Sequence, residues 1–219
     1  MNPNNLIADK FGLDLNAKSP IELPISRHGL AKLFCDLGYR HIAEIGTERG
    51  LFARALAKYN PEATIYCVDA WTPFKGYRDH VNRKKLEEFY QVAKHRLAPY
   101  NCKIIRQFSL DAVRDFDDET LDAVYIDADH SFQAVTNDIC EWGKKVKRGG
   151  IISGHDFEIH KGPSYIHVKE VVKAYVEAYR VKPYFVTNTD EDDPETESAK
   201  TARSFMWIKG DFKVSKRSL

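Results

Sequence analysis

The sequence predicts an α/β protein built on a mainly parallel sheet with helices on both faces. Two observations predict it. Short apolar runs of strand length alternate with stretches whose apolar residues recur at helical spacing. The last two apolar runs, PYFVT (183–187) and SFMWIK (204–209), have no helical stretch between them, so they are expected to pair antiparallel. A chain of 219 residues, 43% hydrophobic and 30% charged, has enough apolar material for one such domain, read here as spanning 1–219.

In chain order, residues 1–25 read as an N-terminal extension. Leu30, Leu33, Phe34 and Leu37 mark a helix face, and HIAEI (41–45) a strand. Phe52, Ala55, Leu56 and Tyr59 mark a second helix stopped near Asn60-Pro61, followed by a strand at TIYCVD (64–69). Leu86, Phe89, Tyr90, Ala93 and Leu97 make a longer helix, KIIRQF (103–108) a strand, and 110–114 a short helix. DAVYID (122–127) is a strand rich in β-formers. Val135, Ile139, Trp142 and Val146 lie on one helical stripe, after which Gly149-Gly150 turns the chain into a strand at 151–153. Val168, Val171, Val172, Tyr175 and Tyr179 mark the last helix. The acidic segment 188–200 lacks apolar residues and reads as a mobile surface loop.

Lys plus Arg (33) nearly balances Asp plus Glu (32), which excludes a global electrostatic case for nucleic acid or membrane and leaves only a local basic patch open. No basic stretch followed by an apolar run marks a signal peptide, and no apolar run approaches the ~20 residues of a membrane helix. Cys35, Cys67, Cys102 and Cys140 form no CxxC pair and read as reduced thiols, mostly buried, of a cytoplasmic protein.

The chemistry centres on EIGTERG (44–50), which joins a strand to a helix. It is neither the G-x-G-x-x-G of dinucleotide enzymes nor a P-loop. A pyrophosphate is disfavoured beside carboxylates, and here Glu44 and Glu48 flank the turn. They suit a ligand carrying positive charge, such as the ammonium and sulfonium of S-adenosylmethionine. Asp69 ends the next strand about 20 residues beyond Gly46, where a carboxylate can bind a ribose diol. A turn-capping role is its alternative.

EIGTERG, VDAW, YIDADHSF and GGIISGHDF, in that order, resemble class I S-adenosylmethionine-dependent methyltransferases. They are most similar to the small bacterial branch containing macrocin-type O-methyltransferases and cephalosporin-hydroxylase-like proteins, over roughly residues 25–209. The resemblance implies a Rossmann-like, seven-stranded, mostly parallel sheet with an antiparallel last strand. It implies that Glu44, Gly46, Thr47 and Gly50 line the methionine end of the cofactor, that Asp69 holds the ribose with Trp71 beside it, that Phe108, Ser109 and Leu110 border the adenine, and that Asp127 faces the sulfonium.

IDADHSF and GHDF place Asp127, Asp129, His130, His155 and Asp156 just past two strands expected to be neighbours. Carboxylates gathered this closely require a cation, a shared proton or neutralisation by histidine. The resemblance implies a divalent metal on Asp127, His155 and Asp156. Imidazole at position 155, where the branch usually has a carboxylate, favours manganese or iron over magnesium. His130 and Asp129 are the candidate bases for deprotonating an acceptor hydroxyl, with His130 leading; helix capping is the alternative for both. Asp138 reads as solvated or paired with a lysine. His160, Lys161 and His167, and likewise Trp71, Phe74, Tyr77 and Arg78, read as packing or surface groups that can instead wall a substrate site.

The expected function is methyl transfer from S-adenosylmethionine to a small-molecule acceptor, through oxygen, with a divalent metal (manganese, iron or magnesium) assisting. Neither nucleic acid nor membrane is an expected partner, and a homodimer stays open. The alternatives are a nicotinamide-dependent oxidoreductase, a hydroxylase-like enzyme on the same scaffold, and a catalytically silent cofactor-binding module.

Overall fold

The computed structural model describes residues 2–73, 82–158, 166–188 and 202–210. Phe74, Tyr77, Arg78, His160, Lys161 and nearly all of the acidic segment therefore lie outside the described residues. The chain begins with α1 (Pro3–Phe11), β1 (Ile21–Leu23) and α2 (Arg27–Asp36). The alternation then runs β2 (His41–Ile45), α3 (Leu51–Tyr59), β3 (Thr64–Asp69), α4 (Arg83–Leu97) and β4 (Cys102–Arg106). A short helix α5 (Ser109–Ala112) with a further turn leads to β5 (Leu121–Ile126), α6 (Phe132–Lys145) and β6 (Val146–Gly154). The last elements are α7 (Val168–Ala178), β7 (Phe185–Thr187) and β8 (Phe205–Ile208). Among the described residues no helix is long and apolar enough to cross a membrane.

The sheet order is β1-β7-β8-β6-β5-β2-β3-β4, parallel throughout except for β8, which runs antiparallel to both β6 and β7. The seven expected strands are all present. The eighth, β1, pairs in parallel with β7 at the sheet edge, so part of the N-terminal extension belongs to the sheet. β2 lies between β3 and β5 and is the point where strand order reverses. In open α/β sheets that is where the crevice for a ligand forms.

Successive strand residues face opposite sides, so the sheet serves two cores. Val124, Ile126 and Ile152 pack with Trp142 of α6 and the valines of α7 on one face. Ala123, Tyr125 and Ile151 pack with Leu30, Phe34, Phe52 and Leu56 of α2 and α3 on the other. Each fully buried large apolar side chain contributes about 1.5–3 kcal/mol before chain entropy is subtracted.

Val146 departs from expectation. It fits the helical stripe of Val135, Ile139 and Trp142, but the helix ends at Lys145 and Val146 turns extended (ψ 136°) to begin β6. As the first residue of β6 it pairs in register with Leu121 of β5 and stays fully buried, so pairing with the neighbouring strand, not the helical stripe, decides its conformation. The four cysteines are free thiols as expected, but only Cys67 is buried and Cys35 is exposed.

Candidate active site

The carboxyl ends of β2, β3, β5 and β6 carry the expected acidic groups. Gly46 follows β2 with φ 96°, and Gly50 opens α3 with φ 72°, both in the left-handed region that glycine tolerates best. A Cβ on Gly46 would sit 1.9 Å from the Asp127 carbonyl oxygen. The bare backbone at Gly46 thus admits the neighbouring chain after β5, a different use from the close approach of a ligand. The Gly46 amide is itself engaged, donating to the Val68 carbonyl at 2.8 Å.

Glu44 is 3% exposed. Burial pushes its carboxyl well above the usual carboxylate range, with the nearby Asp127 charge adding and Thr47 and Arg27 opposing. Its Oε2 and the Thr47 Oγ1 are both buried, and neither has a well-formed hydrogen bond to a described residue, although the Thr47 hydroxyl is near enough to the carboxyl to oppose its pKa rise. Two buried oxygens with no other described partner than each other fit a ligand that brings its own donors, as the ammonium of S-adenosylmethionine does. Arg27, buried on α2 with its guanidinium 5.7 Å from the Phe52 ring centre, also contributes here. Its place in the first turn of a helix offers no motif that would have singled it out.

Asp69 holds two loops together. Its Oδ2 accepts from the Glu48 amide at 2.9 Å and its Oδ1 from the Trp71 amide at 2.8 Å. Burial raises its pKa while the amides of Trp71, Glu48 and Ala70 lower it, leaving a net rise. Trp71 is only 1% exposed; its indole N–H donates to the Glu48 carbonyl at 2.7 Å and its ring packs on Tyr90. It therefore braces the turn from beneath.

After β4, Phe108 and Leu110 are 43% and 39% exposed and flank Ser109. The Ser109 hydroxyl accepts from the Trp142 indole at 2.8 Å and donates to Asp138. Asp138 is a correction: it is 3% exposed rather than solvated, and among the described residues its carboxyl meets the Ser109 hydroxyl of α5 and no lysine. Burial and the Asp129 charge, partly offset by Ser109, raise its pKa to about 6. A carboxyl raised from about 3.8 in the unfolded chain loses stabilisation as pH climbs through 6. Asp138→Asn, which keeps an acceptor for Ser109, is expected to be about 1–3 kcal/mol more stable than the parent at pH 8 and little different at pH 4. Urea midpoints at the two pH values test this, and equal differences at both would refute it.

Four groups converge past β5 and β6. His130 Nε2 lies 3.2 Å from Asp127 Oδ1 and 3.2 Å from Asp156 Oδ2. His155 Nδ1 lies 3.5 Å from Asp156 Oδ2 and 3.9 Å from Asp127 Oδ2. Desolvation disfavours the charged His130 imidazole, but the Asp127 hydrogen bond and both carboxylate charges outweigh it and raise its pKa to about 9. His130 thus lies between two carboxylates it can neutralise, and its Nε2 is directed at them rather than at the start of α6. Ser131, not Asp129, is the N-cap of α6, its hydroxyl accepting from the Ala134 amide; Asp129 lies two residues earlier and its Oδ1 accepts from the Ser131 amide, which fixes the turn into the helix. Its second oxygen makes no hydrogen bond to a described residue. His167 begins α7 and donates its amide to the His130 carbonyl at 2.8 Å.

Donor atoms of Asp127, His130 and Asp156 all lie within 4.8 Å of one another, close enough to hold one cation. The expected set had His155 in place of His130. With either histidine the mixed oxygen–nitrogen set fits manganese, iron or zinc better than magnesium.

A protein-family model described as "Methyltransferase domain" matches residues 43–157, from β2 through the acidic residues after β6. The chain belongs to this methyltransferase family. The sheet of this methyltransferase domain is shared by an O-methyltransferase from Bacillus cereus solved in complex with SAH (17% identity, 94% of this chain and 89% of that one, TM-score 0.59). It is shared also by TomG, an O-methyltransferase from Streptomyces achromogenes involved in tomaymycin synthesis and solved with SAM (17% identity, 95% and 90% coverage, TM-score 0.58). At such identities the likeness is one of fold. An uncharacterized protein, y4gI, of Sinorhizobium fredii is 24% identical over 127 residues, 56% of this methyltransferase chain. The chain spans only 14% of that relative's length.

Proposed function

We propose that the protein transfers the methyl group of S-adenosylmethionine to an oxygen of a small-molecule acceptor. The observation that carries this reading is the buried Glu44 side chain beside the glycine turn, one strand from Asp127; the Glu44 Oε2 meets no well-formed hydrogen-bond donor among the described residues. A site built this way favours a cationic ligand and disfavours the diphosphate of a nicotinamide cofactor. S-adenosylmethionine supplies an electrophilic methyl on a positively charged sulfur.

In this reading Glu44 and Thr47 receive the ammonium. Asp69, already fixed by two backbone amides, uses its remaining lone pairs for the ribose hydroxyls, while Trp71 keeps that turn rigid. Phe108 and Leu110 offer apolar surface to the adenine, and Ser109 is held in place by Asp138 and Trp142. Asp127 lies nearest the transferring methyl. The acceptor hydroxyl must approach in line with the sulfur–methyl bond and give up its proton. With a pKa near 9, His130 holds a proton at neutral pH. It can accept another group's proton only after giving up its own, and a cation held by Asp127, His130 and Asp156 would occupy the same imidazole nitrogen, so the base role and the ligand role of His130 exclude each other. Such an ion would also lower the pKa of a hydroxyl bound to it. Without it, Asp129 is the better-placed base by charge.

Saturating S-adenosylhomocysteine is expected to raise the melting temperature by several degrees, and NAD to leave it unchanged. Stabilisation by NAD alone would overturn the proposal. Repeating the assay after rigorous chelation, with manganese added back, tests the metal: full methyl transfer by the chelated protein would remove it from the mechanism.

A further inference from the structure

The helices on the α2–α3 face carry a feature that the methyl-transfer site leaves unused. α2 leads into β2 and α3 leaves it, so both helices begin at the edge of the sheet where the acidic cluster sits and run side by side away from it. Between them lies a cavity of about 500 Å³. His28 and Lys32 line it from α2, Arg54 and Lys58 from α3, each pair spaced by one helical turn. Leu51, directly after the glycine turn, lines the same cavity, and Tyr59 forms wall at the far end.

The walls are of one sign. α3 has no carboxylate, and the only one on α2, Asp36, is bound to Lys10 at 2.6 Å. Among the described residues neither Lys32 nor Lys58 meets a carboxylate; Lys32 instead lies 4.9 Å from the centre of the Tyr59 ring. Beyond Arg54 two more arginines gather: burial, then the charges of Arg54 and Arg49, hold the Arg96 guanidinium below its ordinary pKa, with the Glu48 carboxylate partly opposing. Like charges at this spacing on a helix are destabilising. In a chain whose formal net charge is +1, three cations and a histidine around one concavity are a local concentration, and a cleft lined by one sign focuses its field on a counter-ion.

We propose that this groove binds the phosphate groups of a phosphorylated small molecule, which on the methyl-transfer reading is the acceptor, its remainder reaching past Leu51 toward the glycine turn. Three cations, with His28 as a further donor, call for more than one negative charge, so a diphosphate or a phosphate monoester dianion fits better than a lone carboxylate. The volume is that of a small-ligand pocket, and the short concavity between two helices differs from the long basic stripe that a nucleic acid strand follows.

The test uses the full chain, inorganic pyrophosphate as probe and isothermal titration calorimetry at low salt. Pyrophosphate is expected to bind the parent protein, and the Lys32→Ala/Lys58→Ala double variant to bind it at least about tenfold more weakly. The variant should bind S-adenosylhomocysteine as the parent does, which also establishes that it folds. Absence of pyrophosphate binding by the parent, or equal binding by the variant, overturns the proposal. Tighter binding of a single-stranded oligonucleotide than of pyrophosphate, lost in the same variant, overturns it in favour of nucleic acid. If the parent binds pyrophosphate but not S-adenosylhomocysteine, the groove stands as an anion site and the methyl-transfer reading falls.

Discussion

Glu44→Gln is expected to make the ligand-free protein more stable, by about 2–8 °C in melting temperature, while weakening S-adenosylhomocysteine binding about 10- to 100-fold. Both effects have one origin. A carboxylate oxygen buried without a well-formed hydrogen bond costs the folded state about 1–3 kcal/mol, and burial raises the Glu44 pKa accordingly. An acid raised above its unfolded value is no burden while protonated and becomes one as pH rises toward its folded pKa. The advantage of the glutamine variant should therefore be small near pH 4.5 and larger at pH 7.5. The same orphaned oxygen is what a cofactor ammonium would satisfy through a charge-assisted bond that glutamine cannot replace. Sites held ready for a ligand commonly sacrifice stability in this way. A variant less stable than the parent, with cofactor affinity intact, would make Glu44 a structural residue and remove the central support for the proposed function.

Much of the frame was legible because strands buried on both faces read as short continuous apolar runs, and polar residues immediately past such runs must lie at strand ends. Asp69, Asp127 and the His155-Asp156 pair were placed on that ground, and the sheet brings the last three together. What was missed depended on partners distant in sequence. β1 has three residues, too few to show a period, and exists because β7 lies alongside it. Val146 fits a helical stripe, and only the tertiary course of the chain shows the helix ending one residue earlier. Asp138 lies off the apolar stripe and reads as solvated; it is buried because α5 brings Ser109 onto it. The roles of Asp129 and His130 turned on side-chain direction, which spacing does not encode. The basic groove was hidden because each of its walls reads as an ordinary solvated helix face, and only the packing of α2 on α3 sets the two faces against each other.

Asp127→Asn is expected to reduce turnover at least about 100-fold and to move the His130 pKa from about 9 toward the ordinary histidine value near 6.5. The substitution is nearly isosteric. The Asp127 backbone amide donates to the Ile45 carbonyl at 2.7 Å, so the residue keeps its place at the strand end while its charge is removed. His130 then retains one carboxylate neighbour, Asp156, at 3.2 Å, against the same desolvation. In the parent protein the raised pKa means that the proton on His130 stabilises the fold fully below about pH 6.5 and that this stabilisation is lost as pH rises through 9; in the variant the loss should come earlier. Proton NMR titration of the imidazole and the pH profile of turnover report separately on the charge and on the chemistry. A His130 pKa that falls while turnover is kept would mean that the cluster only supports the fold. Turnover that collapses with the pKa unmoved would mean that Asp127 acts directly on the bound cofactor or cation, independently of the histidine. Only if both change together does the Asp127–His130–Asp156 arrangement work as one unit, the acidic residues setting when the imidazole is free to accept a proton.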